Sequence, residues 1–227
     1  MIAIVAIDFN PTPLAACRRR RPAPRIARPR PRRRVSNRTE TPPHPAVPML
    51  RPAHIGHLAM LRSLIRDGAR DGSFQPELAW DSAESDRFFA ELKQALKSGY
   101  FVVEDPQTGE MRTVAVPGYV YWADETTGNE PPVGFGLFRA ARGGGYELWL
   151  AGLEGALRGR GHGRAMLAAL FETPTGRATR FVRVRRTSRY AEAIAGLLEQ
   201  HGFTATRETP HETYFVRATA VAPGARR

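Results

Sequence analysis

The chain has 227 residues, 42% of them apolar, which is enough for one globular core with an appendage. A single cysteine, Cys17, excludes an internal disulfide and a cysteine-ligated zinc cluster, and suits a reducing compartment. The formal charge of +12 suggests a polyanion partner until it is located along the chain: eleven arginines and no acid fall between residues 18 and 38, whereas residues 39–227 carry 23 basic against 21 acidic side chains.

The charge therefore resides in a tail. Nucleic acid is expected to be a partner only through that arginine-rich arm, because the remainder has no excess of positive charge that would need one. From Pro11 to Pro48 proline and arginine alternate, which removes helical donors and adds like-charge repulsion. Residues 1–46 are expected to be a disordered tail, 47–220 the folded domain and 221–227 a short C-terminal tail. Met49, just ahead of the first strand-like segment, is a candidate true start. No apolar run is long enough to span a bilayer. The apolar run from Met1 to Ile7 has its arginines behind it, the reverse of a secretory signal, so a cytoplasmic location is expected.

In chain order, Val47 to Arg51 predicts a strand. Leu58, Leu61, Leu64 and Ile65 predict a helix over 54–67, broken by Gly68 and Gly72. A second helix is predicted over 82–97, with Gly99 as its stop. Strands are predicted over 100–104, 113–122, 133–139 and 146–153, with a turn at 105–109. A helix opened by the glycine-rich run and carrying Met166, Leu167, Leu170 and Phe171 inward, a strand over 179–185, a helix over 189–201 ended by Gly202, and strands over 203–208 and 213–218 complete the order. The fold class is mixed α/β, or α+β.

The sequence Arg158-Gly159-Arg160-Gly161-His162-Gly163 follows a strand and opens a helix. Glycines there let backbone N–H groups approach phosphate oxygens, and the helix N-terminus adds partial positive charge. A P-loop would need Gly-Lys-Ser/Thr, which is absent. A dinucleotide fingerprint would need different glycine spacing, and too few βαβ units are present.

The run resembles the Arg/Gln-x-x-Gly-x-Gly/Ala pyrophosphate signature of the GNAT N-acetyltransferase superfamily, and the order of strands and helices from about residue 47 to 218 follows that family, down to Gly202-Phe203 at the end of the last helix. The resemblance implies a central mixed, mostly antiparallel sheet with two splayed parallel strands, flanked by about four helices. It also implies acetyl-CoA as co-substrate and a small-molecule or peptide amine as acceptor. A homodimer is open to such a domain. Carried over, Ala151, Gly152 and Leu153 meet the pantetheine arm, and Arg158, Gly159, Arg160, Gly161, His162, Gly163 and Arg164 meet the phosphates. Glu147, eleven positions before Arg158, stands where members of the family that use a glutamate base place it.

Attack on a thioester requires a neutral amine, so some group must accept a proton. Glu147 is the expected acceptor, directly or through water, against the alternative of a plain charged residue at a strand end; Glu154 is the runner-up. A backbone N–H near Leu153 would face the oxyanion. The position of the family's usual tyrosine acid is Leu198, which leaves Tyr190 and Tyr214 as open candidates. His162 is expected to be a tolerated surface side chain. No metal is expected, since no His/Asp/Glu cluster has ligand spacing. Asp67, Asp71, Phe74 and Trp80 in and beside the linker Gly68–Asp81, together with Tyr119, Tyr121 and Trp122, would suit a cationic, amphipathic amine. The rival readings are a CoA-binding module without catalysis and an acetyltransferase directed to nucleic acid by the arm.

Overall fold

The computed structural model describes residues 4–5, 49–104, 109–123 and 131–218. The arginine-rich stretch and the C-terminal tail lie outside them, as does most of the turn at 105–109. The first described element is a two-residue strand, β1 (Ile4–Val5), within the stretch expected to be disordered.

The main sheet runs in the order β2 (Met49–Pro52), β5 (Gly118–Trp122), β6 (Gly134–Ala140), β7 (Tyr146–Leu153), β8 (Thr179–Arg185), β10 (Glu212–Arg217), β9 (Phe203–Glu208). Its pairings are antiparallel except for β7 with β8, and β1 adds a further parallel strand along β7. A separate hairpin, β3 (Tyr100–Glu104) with β4 (Met111–Ala115), forms a second, two-stranded sheet. Two apolar cores result. One packs α1 (Leu58–Arg70), α2 (Ala83–Ser98) and the hairpin against β5–β7 through Leu61, Leu92, Phe135 and Trp149; the other packs α3 (His162–Glu172) and α5 (Ala191–Gln200) through Met166, Leu170, Ile194 and Leu198. A short helix, α4 (Pro174–Arg177), leads into β8.

Local signals explain most boundaries. Ser82 caps α2 by accepting from the Ser85 N–H, and Gly99 ends it at φ 80°, a conformation that costs a side-chain-bearing residue about 1–2 kcal/mol. Two expectations are corrected. Helix α1 passes through Gly68 to Arg70, because the Phe74 ring lies against that glycine and a Cβ there would stand 2.4 Å from it. The expected strand over 113–122 is two strands in different sheets, divided at Val116-Pro117. Val116 donates to Gly99 O, and proline has no N–H with which to continue a ladder.

Candidate active site

Strand β7 is buried along nearly its whole length and pairs with β6 from Tyr146 to Leu153. On its other side it pairs with β8 only at Tyr146–Leu148, against Thr179, Phe181 and Val182. Beyond Leu148 the two parallel strands part. Part of the vacated edge is taken by β1, whose Ile4 and Val5 sit opposite Leu150 and Ala151.

The wide end of this wedge meets the glycine-rich run. After Leu153 a 3-10 turn, Gly155–Leu157, leads to Arg158, and Gly159 and Gly161 then take φ values of 72° and 87°. Gly161 is the N-cap of α3, with no side-chain cap and no acid in the first turn. The first N–H groups of a helix have no intrahelical acceptor, so this end attracts an anion. Apart from its chain neighbours, no described atom lies within 4 Å of the point where a Gly161 Cβ would stand. Arg160 and Arg164 are exposed on either side, and Gly163 is buried in the first turn. His162 is half-buried rather than a free surface residue, with Nδ1 3.5 Å from the Tyr121 hydroxyl. Ala151, Gly152 and Leu153 are buried on the splayed part of β7.

Arg158 is placed differently from its neighbours in the motif. Its guanidinium donates to Asp71 Oδ2 at 2.9 Å and to Leu153 O at 3.2 Å, and it lies 3.5 Å from the Tyr190 hydroxyl. Burial works against its charge, but the hydrogen bond and charge of Asp71, helped by Tyr190, carry its proton affinity above the ordinary arginine range. The same linker is held by Thr187, which donates to Gly72 O, and by a buried contact between the Ser73 and Ser188 hydroxyls. Arg158 thus ties the segment after α1 to the loop and to the start of α5.

At the narrow end, Glu147 is only 7% exposed. Arg139 donates Nε–H to one carboxylate oxygen at 2.8 Å and Arg183 donates Nε–H to the other at 2.7 Å. Pairing places these groups: Arg139 is opposite Glu147 on β6, and Arg183 lies two residues beyond Phe181, its partner on β8. Burial disfavours the Arg183 charge, while Glu147, then Glu212 and Tyr214, raise its proton affinity above normal. Two cavities of about 580 and 300 Å³ meet at Glu147 and Phe181, the larger under the β3–β4 hairpin and the smaller against β9 and β10. Tyr214 lines the smaller one, whereas Tyr190 is at the loop end and Leu198 is buried in the core. Glu154 stands in the loop, before the 3-10 turn.

The linker residues expected to receive a cationic amine do not assemble. Asp71 is paired with Arg158, Asp67 with Arg70, Phe74 is in the core and Trp80 is exposed on the surface. The arginine pair around Glu147 was missed because it is made across strands; Arg139 is the one basic residue of an otherwise apolar strand, whereas Arg183 is one of three arginines in β8 and nothing local singles it out. Among the described residues no group of three His, Cys, Asp or Glu could hold a metal ion, and no helix is long and apolar enough to cross a membrane.

No protein-family model and no curated protein matches the sequence, but solved structures match its fold. The chain is similar to an acetyltransferase from Thermus thermophilus at 18% identity and a TM-score of 0.51, over 77% of this chain and 98% of that one. It is similar to the ribosomal-protein-S18-alanine N-acetyltransferase from Escherichia coli at 14% identity and a TM-score of 0.50, over 79% and 99%. A third is yncA from Salmonella typhimurium, solved with its cofactor acetyl-CoA, at 19% identity and a TM-score of 0.50, over 78% and 98%.

The chain has the fold of these acetyltransferases. In this fold the β7–β8 wedge, the loop at Gly159–Gly163 and Glu147 follow one another along β7, with the loop at the wide end and the carboxylate at the narrow end.

Proposed function

We propose that this chain is an acetyl-CoA-dependent N-acetyltransferase acting on a primary amine. The observation that carries this reading is the parting of β7 from β8 after Leu148, which opens toward the uncapped, glycine-rich start of α3. The pyrophosphate of the co-substrate binds the N–H groups of Gly159 to Gly163, with Arg160 and Arg164 adding charge and the Arg158 side chain holding the loop in shape. The pantetheine arm lies along Ala151, Gly152 and Leu153. A strand advances about 3.3 Å per residue, so an arm running back along β7 brings the thioester toward Leu148, beside the two cavities. Ile4–Val5 uses the same edge, so β1 and the arm exclude one another.

The amine nitrogen attacks the thioester carbon; a C–N bond forms and the C–S bond breaks. Its proton passes through water to Glu147, on the lone pairs that the two arginine Nε–H groups leave open. A backbone N–H on the splayed edge of β7 faces the oxyanion. A thiol of ordinary pKa about 8.5 leaves without a dedicated acid, and Tyr214 is a phenol at this end through its place in the lining of the smaller cavity.

The engagement of both Glu147 oxygens favours one second reading, a CoA-binding module without turnover. Thiol release from acetyl-CoA across a panel of primary amines separates the two. The enzyme reading expects amine-dependent release that Glu147→Gln lowers; binding of acetyl-CoA with no release for any amine supports the module.

A further inference from the structure

We propose that Asp71, Gly72 and Ser73 form a clasp across the wide end of the β7–β8 wedge and act as positioning residues for acetyl-CoA; this rests on the acetyltransferase reading. The last ladder pair between the two strands is Leu148 with Val182. Leu153 and Thr187 each lie five residues further along the chain, beyond the reach of that ladder. The residues that follow α1 touch both sides there. On the β7 side Asp71 Oδ2 accepts from Arg158 at 2.9 Å, and the same guanidinium donates Nε–H to Leu153 O at 3.2 Å. On the β8 side Gly72 O accepts from the Thr187 hydroxyl at 3.0 Å, and the Ser73 and Ser188 hydroxyls meet at 2.9 Å.

The clasp is closed on itself as well as on its neighbours. Asp71 Oδ1 accepts from the Ser73 N–H at 3.1 Å, and the Ser73 and Phe74 N–H groups both donate to Gly68 O, which fixes the turn to the end of α1. Gly72 has φ 82°, and a Cβ there would stand 2.9 Å from Thr187 O, so this close approach to the turn between β8 and α5 requires glycine. Ser73 and Ser188 are both buried, so their contact is made away from water. Beyond the ladder, pairing of β7 with β8 no longer sets the gap that a pantetheine arm would enter. Held from one short segment, the far ends of the two strands keep their separation before the co-substrate arrives, which lowers the ordering that binding must impose. The linker expected to receive the acceptor thus holds the co-substrate site instead.

The test has two readouts. Full-length protein carrying Asp71→Asn, Thr187→Val, both changes together, or Thr187→Ser is titrated with acetyl-CoA, and urea unfolding is followed in parallel. Thr187 is exposed and valine has nearly its shape, so that variant keeps the fold even where Asp71→Asn does not. One hydrogen bond corresponds to about a fivefold change in an equilibrium constant, so each single substitution should weaken acetyl-CoA binding about fivefold. The double variant should be no weaker than the worse single one, because both changes release the same gap. Thr187→Ser keeps the hydroxyl and should bind as the wild type does. A lowered urea midpoint with an unchanged dissociation constant, additive losses in the double variant, or Thr187→Ser binding as weakly as Thr187→Val would overturn the proposal. Failure of the wild type to bind acetyl-CoA would instead count against the enzyme reading, and amide hydrogen exchange without ligand would then decide the clasp. Thr187→Val should raise exchange across the gap at 155–163 as well as at 186–190; a rise confined to 186–190 overturns it.

Discussion

At its C-terminal end β7 runs into a loop shaped by residues adjacent in sequence, with Gly159 and Gly161 at positive φ and α3 starting directly after them. At its N-terminal end the same strand holds Glu147 between Arg139 and Arg183, eight and 36 residues away. The loop end offers backbone N–H groups, and its shape rests on the positive φ of Gly159 and Gly161 and on the Arg158–Asp71 pair. The carboxylate end depends on charge balance in a buried place and tolerates little change at all. One strand therefore carries a site made locally and a site made only by folding.

The largest effect should come from breaking the second kind. Glu147→Ala leaves Arg139 and Arg183 facing each other with 19% and 14% of their side chains exposed, and is expected to cost about 3–5 kcal/mol in urea unfolding. A loss below about 1 kcal/mol would mean that the arginines are well solvated without it.

Arg158→Ala should follow, at about 2–3 kcal/mol, because Asp71 would keep a charge that is 13% exposed and lose its partner. Arg160→Ala, two residues on and exposed, should change stability by less than about 0.5 kcal/mol while weakening acetyl-CoA binding. Equal effects on stability would remove the distinction between a holding arginine and a binding one.

The smallest effect concerns the edge of β7. A chain beginning at Met49 lacks Ile4 and Val5 and should bind acetyl-CoA a few-fold more tightly, since two strand residues contribute about 1 kcal/mol. An unchanged dissociation constant would show that β1 and the co-substrate do not compete.

The loop end was legible in the sequence because its signals are local: alternating glycines, a preceding strand and a following helix read in one short window. The elements on either side were legible for the same reason, through Gly99, Gly202 and the helical spacing of Leu61, Leu64 and Ile65. The remainder needed tertiary contacts. Gly68 lies inside a helix because Phe74 packs against it, and Pro117 divides an apolar run between two sheets. Arg158 belongs to the signature by position, yet Asp71, 87 residues earlier, captures its side chain. Glu147 was singled out through the family resemblance, whereas its arginine partners were not, since strand pairing alone brings them to it.

The central claim is that the glycine-rich start of α3 and the open edge of β7 hold acetyl-CoA. Calorimetric titration of acetyl-CoA into the wild-type protein and into Gly161→Trp tests it most directly. The account predicts saturable one-to-one binding by the wild type and its loss in the variant, because the indole fills the space over Gly161. Absence of binding, or binding unchanged in Gly161→Trp, would contradict it.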